Sequence, residues 1–315
     1  MVINPVSVRE HEREYRLMQL LRSHCISEIS LRNKQRHDKA EVIMRRGSDI
    51  GSSICCFEHL PRGIDKAREL IETEEAAGRA FNSGAIILAG EMSRSKGRFS
   101  RPWHAPSGGL WLTVILHPAL LPKHCHFYSV IAAVACCEAT RHYGAQSSIK
   151  WVNDIHYENR KMAGIIAETY RSRSLREEYI FLGMGINVNN TEFPESLRPV
   201  AVSLSETIGK EIFVDDFAAV LLSKLIWYSG LMLQFEADCL ENLYEPEQPR
   251  NPIIEQWKAY SDTIGKRVRY GFDVMNAPLF EATVLDVDDT GAIVLHCEKE
   301  GVSVTESAGE IVYLN

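Results

Sequence analysis

The chain has 315 residues, of which 45% are hydrophobic and 24% are charged, and its formal net charge at pH 7 is −7. This composition indicates a globular chain with a substantial core, and the acidic balance argues against general nucleic-acid binding or a polybasic membrane anchor. The eight cysteines include no C-x-x-C pair, which argues against a zinc or thioredoxin-like site and indicates a reducing compartment without a disulfide framework.

Targeting signals are not predicted at the start of the chain. Met1 to Arg13 mixes acids with bases and lacks an apolar core, unlike a secretory or mitochondrial leader. We also find no apolar run of the roughly 18 residues that a membrane span requires. We therefore expect a cytoplasmic protein that does not bind a membrane.

Residues 1–50 form an N-terminal extension with an amphipathic helical stripe over residues 9–24. From Arg9 to Arg46 it carries ten Arg and Lys against six Asp and Glu. Two interpretations are a helix packed on the main body and a partly mobile leader. A DNA-binding winged helix is the functional alternative, which we disfavour because no second helix shows the pattern of a recognition helix.

Residues 51–262 mix strand and helix patterns. The predicted elements are a strand at 55–59, a helix at 64–78, strands at 85–89 and 110–116, a helix at 127–142, a hairpin at 149–155 and 161–168, a strand at 179–189, a helix capped by Asp215 or Asp216 and running to Phe235, an exposed acidic insertion at 238–252, and a helix at 253–260. From Gly265 the apolar period changes to two. This change predicts a small all-β module at residues 263–315.

A basic loop at residues 93–103 separates the second and third predicted strands. Arg94, Lys96, Arg98 and Arg101 stand within eight residues that contain no acid. The interspersed Ser and Gly residues let backbone N–H groups approach a ligand. Such a loop suits a polyanion such as a nucleotide phosphate, although by itself it also fits a solvated surface turn.

Two later stretches also carry residues that suit binding of a carboxylate or a nucleotide. The first runs from Lys150 to Asp154 and continues to Lys161 and Gly164, and the second is the glycine-interrupted strand 183–189. A lysine on a hairpin strand can stabilise charge on a carboxylate or an α-phosphate, and strand glycines allow a ligand to lie against the backbone. Each stretch alone has a structural explanation, but together they suit activation of a carboxylic acid by a nucleoside triphosphate.

These stretches resemble the biotin protein ligases in order and spacing over about residues 55–315. SKGRFSRPW at 95–103 and APSGGL at 105–110 match the family patterns G-R-G-R-x-G-R-x-W and S-P-x-G-G-L. KWVNDI at 150–155 and KMAGIIAE at 161–168 match K-W-P-N-D-I and K-x-x-G-I-L-x-E, and GMGINVN at 183–189 matches G-x-G-I-N-V-N in full.

The resemblance implies an α+β fold in which a mixed sheet is flanked by helices, the class II synthetase-like biotin/lipoate ligase core, with a C-terminal SH3-like β-barrel. It implies that biotin and MgATP give biotinyl-5′-AMP, which then acylates a lysine of the biotin-carrier domain of a carboxylase such as acetyl-CoA carboxylase. It implies no metal site built from protein side chains. The resemblance does not decide whether the chain forms a homodimer.

The resemblance also implies roles for individual residues. Lys161, Arg98 and Asp154 would be catalytic: Lys161 on the biotin carboxylate and the α-phosphate, Arg98 on phosphate, and Asp154 on the incoming lysine, which it would position or deprotonate. The residues that would bind biotin or ATP are Ser95, Lys96, Gly97, Arg98, Arg101, Trp103, Lys161, Gly164, Gly183, Gly185 and Asn187.

Several positions depart from the family pattern. Ser95 and Ser100 replace glycines, Lys96 replaces an arginine, and Val152 replaces a proline. Met92 replaces the usual Gln before the loop, and the S-T-N segment that contacts the biotin ureido ring is absent near residues 62–64, where it should fall. The residues expected to bind phosphate therefore follow the family pattern more closely than those expected to bind the ureido ring.

Three alternatives remain at this stage. A lipoate or octanoate ligase or transferase shares the core fold and a similar lysine motif. A ligase-fold transcriptional co-repressor is a candidate of another class, disfavoured by the short extension and the acidic charge. An inactive family member is the third, disfavoured because Lys161, Arg98 and Asp154 are all present.

Overall fold

The computed structural model describes residues 8–35, 37–241 and 249–314. The helices are α1 Val8–Lys34, α2 Ala40–Arg46, α3 Gly63–Ala76, α4 Phe127–His142, α5 Leu204–Ile208, α6 Val214–Glu241 and α7 Pro252–Tyr260. The strands are β1 Ser53–Leu60, β2 Ala85–Met92, β3 Leu110–Leu116, β4 Ser148–Lys150, β5 Asp154–Tyr157, β6 Arg160–Arg171, β7 Glu178–Ile186, β8 Arg267–Gly271, β9 Phe280–Val287, β10 Ile293–Cys297, β11 Val302–Glu306 and β12 Glu310–Tyr313.

The central element is a seven-stranded sheet in the order β1-β2-β3-β7-β6-β5-β4. β1 and β2 are parallel and the other neighbours are antiparallel. α4 packs on one face with α6 against it, and α3 packs on the opposite face against β2, β3 and β7. The predicted mixed sheet flanked by helices is confirmed.

The predicted first strand of the hairpin is interrupted by a turn between β4 and β5. The Trp151 side chain is buried and its indole N–H donates to the carbonyl oxygen of Gly291 at 3.1 Å. The Trp257 indole donates to the carbonyl oxygen of Val152 at 2.9 Å. Side chains far away in sequence therefore hold this turn, which explains why local patterning predicted one continuous strand.

The extension packs on the body of the protein, as one of the two interpretations predicted. Leu17 and Leu21 of α1 are buried in the main core together with residues of α2. Asp215, one of the two predicted caps of α6, lies in its first turn and pairs with Arg13 and Arg16 of α1 at 2.8 and 2.7 Å. The extension therefore shares apolar and ionic contacts with the main body.

α1 also lies along β1, which is the edge strand of the central sheet. The Glu14 carboxylate accepts a hydrogen bond from the backbone N–H of Cys56 at 2.9 Å, and Glu10 accepts one from the N–H of Glu58 at 3.2 Å. Two outward-facing donors of the edge strand are thus satisfied by helix side chains.

The C-terminal module is a five-stranded antiparallel sheet in the order β11-β10-β9-β8-β12. The predicted β-barrel is wrong in one respect, because β11 and β12 form the two edges and the sheet does not close. Its apolar face, which includes Val268, Tyr270 and Leu295, joins the main hydrophobic core. Packing against the rest of the protein covers this face, so closure is not needed to bury it.

One helix in the described part of the chain, α6, is long and apolar enough to cross a membrane, and 78% of its apolar window is buried inside the protein. The sequence analysis found no such run, and burial identifies α6 as a core helix. All eight cysteines are free thiols. Of the predicted insertion at 238–252, residues 242–248 lie outside the described residues.

Candidate active site

A cavity of about 600 Å³ opens between the basic loop, the β5–β6 hairpin, β7 and β12. All twelve of the site residues implied by the resemblance line it: Ser95, Lys96, Gly97, Arg98, Arg101, Trp103, Asp154, Lys161, Gly164, Gly183, Gly185 and Asn187. The three motifs, which span nearly a hundred residues of sequence, therefore meet at one site.

Lys161 and Asp154 form an ion pair at one end of this cavity, which we call the carboxylate end. The Lys161 Nζ lies 2.7 Å from the Asp154 Oδ2, across the paired strands of the β5–β6 hairpin. Burial opposes ionisation of Asp154, but the Lys161 ammonium outweighs it, so the pKa of this carboxyl lies below its usual value. Asp154 is therefore ionised at neutral pH.

Lys150 adds a second cation to the carboxylate end. Burial lowers the pKa of this lysine, against the opposing effect of Asp154. Its Nζ lies 5.3 Å from the centre of the Tyr313 ring, which comes from β12 of the terminal sheet. Two lysines against one aspartate leave an excess of positive charge where a carboxylate and a phosphate could meet.

His156 is a residue of the carboxylate end that the sequence analysis missed. It lines the cavity, is only 8% exposed, and its Nδ1 is a buried atom without a hydrogen-bond partner. Burial, assisted by the nearby lysines, lowers its pKa to about 4, although Asp154 acts in the opposite direction. A single His in an apolar strand carries no spacing signal, so only the structure could reveal it.

Glycines form the floor of the cavity because the Trp103 ring lies directly on them. A Cβ placed on Gly185 would stand 2.7 Å from the Trp103 Nε1, and one on Gly164 would stand 3.1 Å from the same ring system. The Trp103 Nε1 is buried without a hydrogen-bond partner, and the Lys161 Nζ lies 5.6 Å from the ring centre. Any side chain on this floor would displace the indole.

The basic loop is folded on itself over the cavity. The Ser95 hydroxyl donates to the carbonyl oxygen of Trp103 at 2.7 Å, and the Trp103 N–H donates to the carbonyl oxygen of Ser95 at 3.0 Å. Phe99 and Ser100 at its tip have φ of 54° and 58°. Ser100 thus adopts a left-handed conformation at a position where the family pattern has glycine.

Two arginines of the loop are bound to the terminal sheet. The Arg98 guanidinium donates to the carbonyl oxygen of Gly309 at 2.8 Å. Arg101 makes two hydrogen bonds to Glu310, at 2.7 and 3.0 Å, and one to Asp273 at 3.1 Å. The resemblance implied phosphate contacts for both arginines. In this structure their guanidinium N–H groups donate to protein oxygens instead.

Asn187 lies at the end of β7, below the lysine. Its side chain is buried, donates a long hydrogen bond of 3.5 Å to the carbonyl oxygen of Lys161, and accepts one from Asn190 at 2.9 Å. Its backbone N–H also donates to the carbonyl oxygen of Met162 at 2.9 Å. Asn187 therefore supports the strand that carries Lys161.

The opposite end of the cavity, which we call the head-group end, begins at residues 62–64, where the family's S-T-N segment should fall. Arg62 and Thr113 line it, and neither belongs to a motif. The Arg62 guanidinium donates to Glu168, the last residue of the second motif. Sequence reasoning predicted only that the usual S-T-N segment is absent here.

Comparison with known proteins agrees with this geometry. Residues 71–187 match the Biotin/lipoate A/B protein ligase family. The bifunctional ligase/repressor BirA of Bacillus subtilis is 30% identical over 240 residues, which cover 74% of this chain and 68% of that protein. The biotin–[acetyl-CoA-carboxylase] ligase of Mycobacterium tuberculosis is 27% identical over 249 residues, covering 76% and 82%.

Solved structures extend the comparison to the fold. The biotin protein ligase of Aquifex aeolicus, in complex with biotin and ATP, superimposes with a TM-score of 0.63 at 18% identity, over 83% of this chain and 98% of that one. The apo form of the same protein gives a TM-score of 0.58 at 17% identity, over the same shares of the two chains.

The sequence matches and the shared fold define a class of enzyme, the ligases that attach biotin or lipoate to proteins. Within that class, this chain belongs to the biotin protein ligase family.

Proposed function

We propose that this enzyme activates biotin with ATP to form biotinyl-5′-AMP and transfers the biotinyl group to a lysine of a biotin-carrier domain. The observation that carries the proposal is the charged Lys161–Asp154 pair, 2.7 Å long, at the end of a glycine-floored cavity beneath a cationic loop. The M. tuberculosis relative is named for the biotinylation of acetyl-CoA carboxylase, which makes such a carboxylase the proposed acceptor.

In the first half-reaction, a carboxylate oxygen of biotin attacks the α-phosphorus of ATP and pyrophosphate leaves. The Lys161 and Lys150 ammonium groups stand where they would stabilise the charge that develops on the α-phosphate oxygens. Among the described residues, no group of three or more His, Cys, Asp or Glu side chains could hold a metal ion. Magnesium enters the reaction as part of the MgATP substrate, where phosphate oxygens would hold it.

In the second half-reaction, the acceptor lysine attacks the acyl carbon of the adenylate and AMP leaves. A lysine arrives as an ammonium ion, which is not a nucleophile until it loses a proton. Asp154 is ionised and lines the cavity, so its carboxylate would attract the ammonium and accept a hydrogen bond from it. The proton then passes to the carboxylate or to water as the amide forms.

The basic loop would cover the adenylate. Lys96 is exposed and near the cavity mouth, where it can meet phosphate. Arg98 and Arg101 would contact phosphate after exchanging Gly309 and Glu310 for nucleotide oxygens. Trp103, whose ring packs on Gly164 and Gly185, would hold the loop in place, and the closed loop would shield the mixed anhydride from water.

Mass-spectrometric trapping of the acyl-adenylate tests this function. The protein is incubated with MgATP and with biotin, lipoate or octanoate, one acid at a time, and then with a biotin-carrier domain. We expect biotinyl-AMP in preference to the other two adenylates, followed by a biotinylated carrier. Preferential formation of lipoyl-AMP or octanoyl-AMP would instead support the alternative ligase of the same fold.

Several further features belong to the proposal. We assign residues 1–50 to an extension, 51–262 to the catalytic domain and 263–315 to a terminal module. We place the enzyme in the cytoplasm, where its free thiols and its acceptor would be found.

A homodimer is the proposed alternative to a monomer. Sedimentation velocity with and without ligands distinguishes the two.

Repression is a second candidate function because the B. subtilis relative is named as both ligase and repressor. In this chain, three cations of α1, Arg13, Arg16 and Arg32, are engaged with acids of the protein itself. A gel shift on genomic DNA at several salt concentrations tests repression. Binding that weakens steeply with salt would support it, and the absence of a shift at low salt would argue against it.

A further inference from the structure

Arg62 stands at the head-group end of the cavity and belongs to none of the three motifs. It immediately precedes α3 in an extended conformation, and its side chain is 15% exposed. The next residue, Gly63, lets α3 approach β3, because a Cβ there would stand 2.5 Å from the Thr113 hydroxyl oxygen. The guanidinium and this hydroxyl therefore line the same end of the cavity.

Two carboxylates hold the Arg62 side chain in place. Its Nη2 donates to Glu168, and its Nη1 lies 3.6 Å from the Asp65 Oδ1. Glu168 also accepts a hydrogen bond from Arg68 at 2.7 Å. Arg68 is 35% exposed and, unlike Arg62, is not among the residues that line the cavity. Arg62 is thus a fixed donor on the cavity wall, with a second arginine behind it.

The distance between the two ends suits an acid with a polar head group. The Lys161 Cε lies 3.2 Å from the position of a Cβ on Gly164, so its ammonium stands close to that residue. Glu168 lies four residues further along β6 on the same face, about 13 Å away at the usual rise per strand residue. An alkyl chain that carries a ring at its far end could extend from the lysine toward this region.

The surface between the ends is apolar. Ile64 and Ile166 flank Gly183, where a Cβ would stand 3.3 Å and 3.0 Å from their side chains, and Met92 also lines the cavity. An alkyl chain would be in contact with these groups, whereas a charged chain would lose its hydration here. Polar recognition is therefore concentrated at the two ends.

We propose that Arg62 is the residue that selects the head group of the acid, donating hydrogen bonds to the ureido carbonyl oxygen of biotin. This assignment rests on the proposed function and names how this chain recognises biotin without the S-T-N segment. A guanidinium carries five N–H donors in a planar fork, so it can bind Glu168 and a carbonyl oxygen together. The Thr113 hydroxyl, which lines the same end of the cavity, would accept a hydrogen bond from a ureido N–H group.

The test compares Arg62→Leu with Arg68→Leu in the full-length protein. Both variants remove one arginine from Glu168, but only the first removes a group that lines the cavity. KM and kcat for adenylate formation are measured with biotin, with desthiobiotin, which keeps the ureido ring, and with octanoate, which has no head group. The KM for ATP is measured with each acid that is used.

We expect Arg62→Leu to raise the KM for biotin and desthiobiotin by about 10- to 100-fold, the effect of losing a hydrogen bond from a charged donor. The kcat, the KM for ATP and any turnover of octanoate should change less than about threefold, and Arg68→Leu should behave like the wild type. Arg62→Lys, which keeps the charge and loses the fork, should fall between them.

Equal losses in Arg62→Leu and Arg68→Leu, or equal losses for all three acids, would overturn the assignment of Arg62. Circular dichroism and thermal unfolding identify a variant that fails to fold, in which case Arg62→Lys and Arg62→Gln decide by the same comparison. Failure of the proposed function is a separate result, because the wild type would then form no biotinyl-AMP.

Discussion

The two ends of the cavity are built from different kinds of residue. At the carboxylate end, Lys161 and Asp154 are motif residues that are close in sequence and paired across one hairpin. At the head-group end, Arg62 and Glu168 are 106 positions apart and meet only in the folded chain. The activation chemistry is therefore encoded locally, whereas the choice of acid depends on packing between α3 and the sheet.

This difference means that the two ends can be perturbed separately. A change at the carboxylate end should affect every acid, because all of them present the same carboxylate. A change at the head-group end should affect only acids that carry a head group. The basic loop lies over the cavity and contacts the terminal sheet, so changes in the loop should alter access and phosphate binding rather than the choice of acid.

The largest effect is expected for Lys161→Ala. The variant should lower the rate of adenylate formation by about 100- to 1000-fold with every acid, by analogy with the loss of one preorganised transition-state donor. Pyrophosphate release measures this rate. The matched control is Arg160→Ala, since Arg160 is the neighbouring cation and pairs with Glu206 at 2.7 Å. Wild-type rates in the Lys161 variant would refute its catalytic role.

The second prediction concerns acid sensitivity of the carboxylate end. The pKa of His156 is about 4 in the folded protein and about 6.5 in an unfolded chain. Between these values the unfolded state binds more protons, so the contribution of His156 to stability is complete above pH 6.5 and falls as the pH decreases to about 4. From pH 7 to pH 5 the free energy of unfolding should fall by about 2 kcal/mol from this residue.

Urea denaturation at pH 7 and pH 5 measures this contribution. His156→Gln should lose less stability than the wild type over this interval, because glutamine does not titrate. His126→Gln is the control, since His126 is an exposed histidine outside the cavity. An identical pH dependence in the wild type and His156→Gln would contradict the buried neutral imidazole.

The third prediction concerns the loop above the cavity. Glu310→Gln removes the charge that holds Arg101 by two hydrogen bonds. This contact is only partly exposed, and its loss should weaken the closed loop by about 1 kcal/mol, or about fivefold in the open fraction. Tryptic cleavage between Arg94 and Arg101 should accelerate accordingly, and biotin with ATP should slow cleavage in both proteins.

Asp273→Asn serves as the control for this variant. Asp273 makes a single contact with Arg101 and is more exposed than Glu310, so the effect on cleavage should be smaller. Equal cleavage rates in the wild type and Glu310→Gln would show that the terminal sheet does not hold the loop. Unchanged cleavage on addition of biotin and ATP would show that the loop does not close over the ligands.

The smallest effect is expected for Ser100→Gly. The left-handed conformation of Ser100 is strained by roughly 1 kcal/mol for a residue with a Cβ. Glycine relieves this strain but gains freedom in the open loop, so tryptic cleavage should slow by only about twofold. Ser93→Gly, at a position without a positive φ, should instead accelerate cleavage, and the same response in both variants would contradict the strain at Ser100.

Local patterns predicted much of the catalytic part of the fold. The strands β1, β2, β3 and β7 and the helices α3, α4 and α7 follow the predicted positions to within a few residues, because their apolar residues recur with the period of the element they form. The twelve residues implied by the resemblance also line one cavity, since each motif is a short segment whose residues stay together when the chain folds.

The features that sequence patterns did not predict depend on contacts between residues far apart in the chain. His156 carries no spacing signal, and the contact of Arg62 with Glu168 requires α3 to pack on the far face of the sheet. The loop arginines bind Gly309 and Glu310, more than 200 positions away. The terminal sheet stays open because its apolar face packs on the rest of the protein, which no strand pattern indicates.

The contact between α1 and the edge of the central sheet has a consequence for handling the protein. Glu14 and Glu10 occupy backbone donors of β1 that could otherwise pair with a strand from another molecule. A truncation that starts at Ser53 would leave this edge open, and we expect aggregation or strand-to-strand association of the shortened chain. A dimer that joined two β1 strands could form only after α1 had dissociated from its own sheet. The helix therefore protects this edge strand against association with a strand of another molecule.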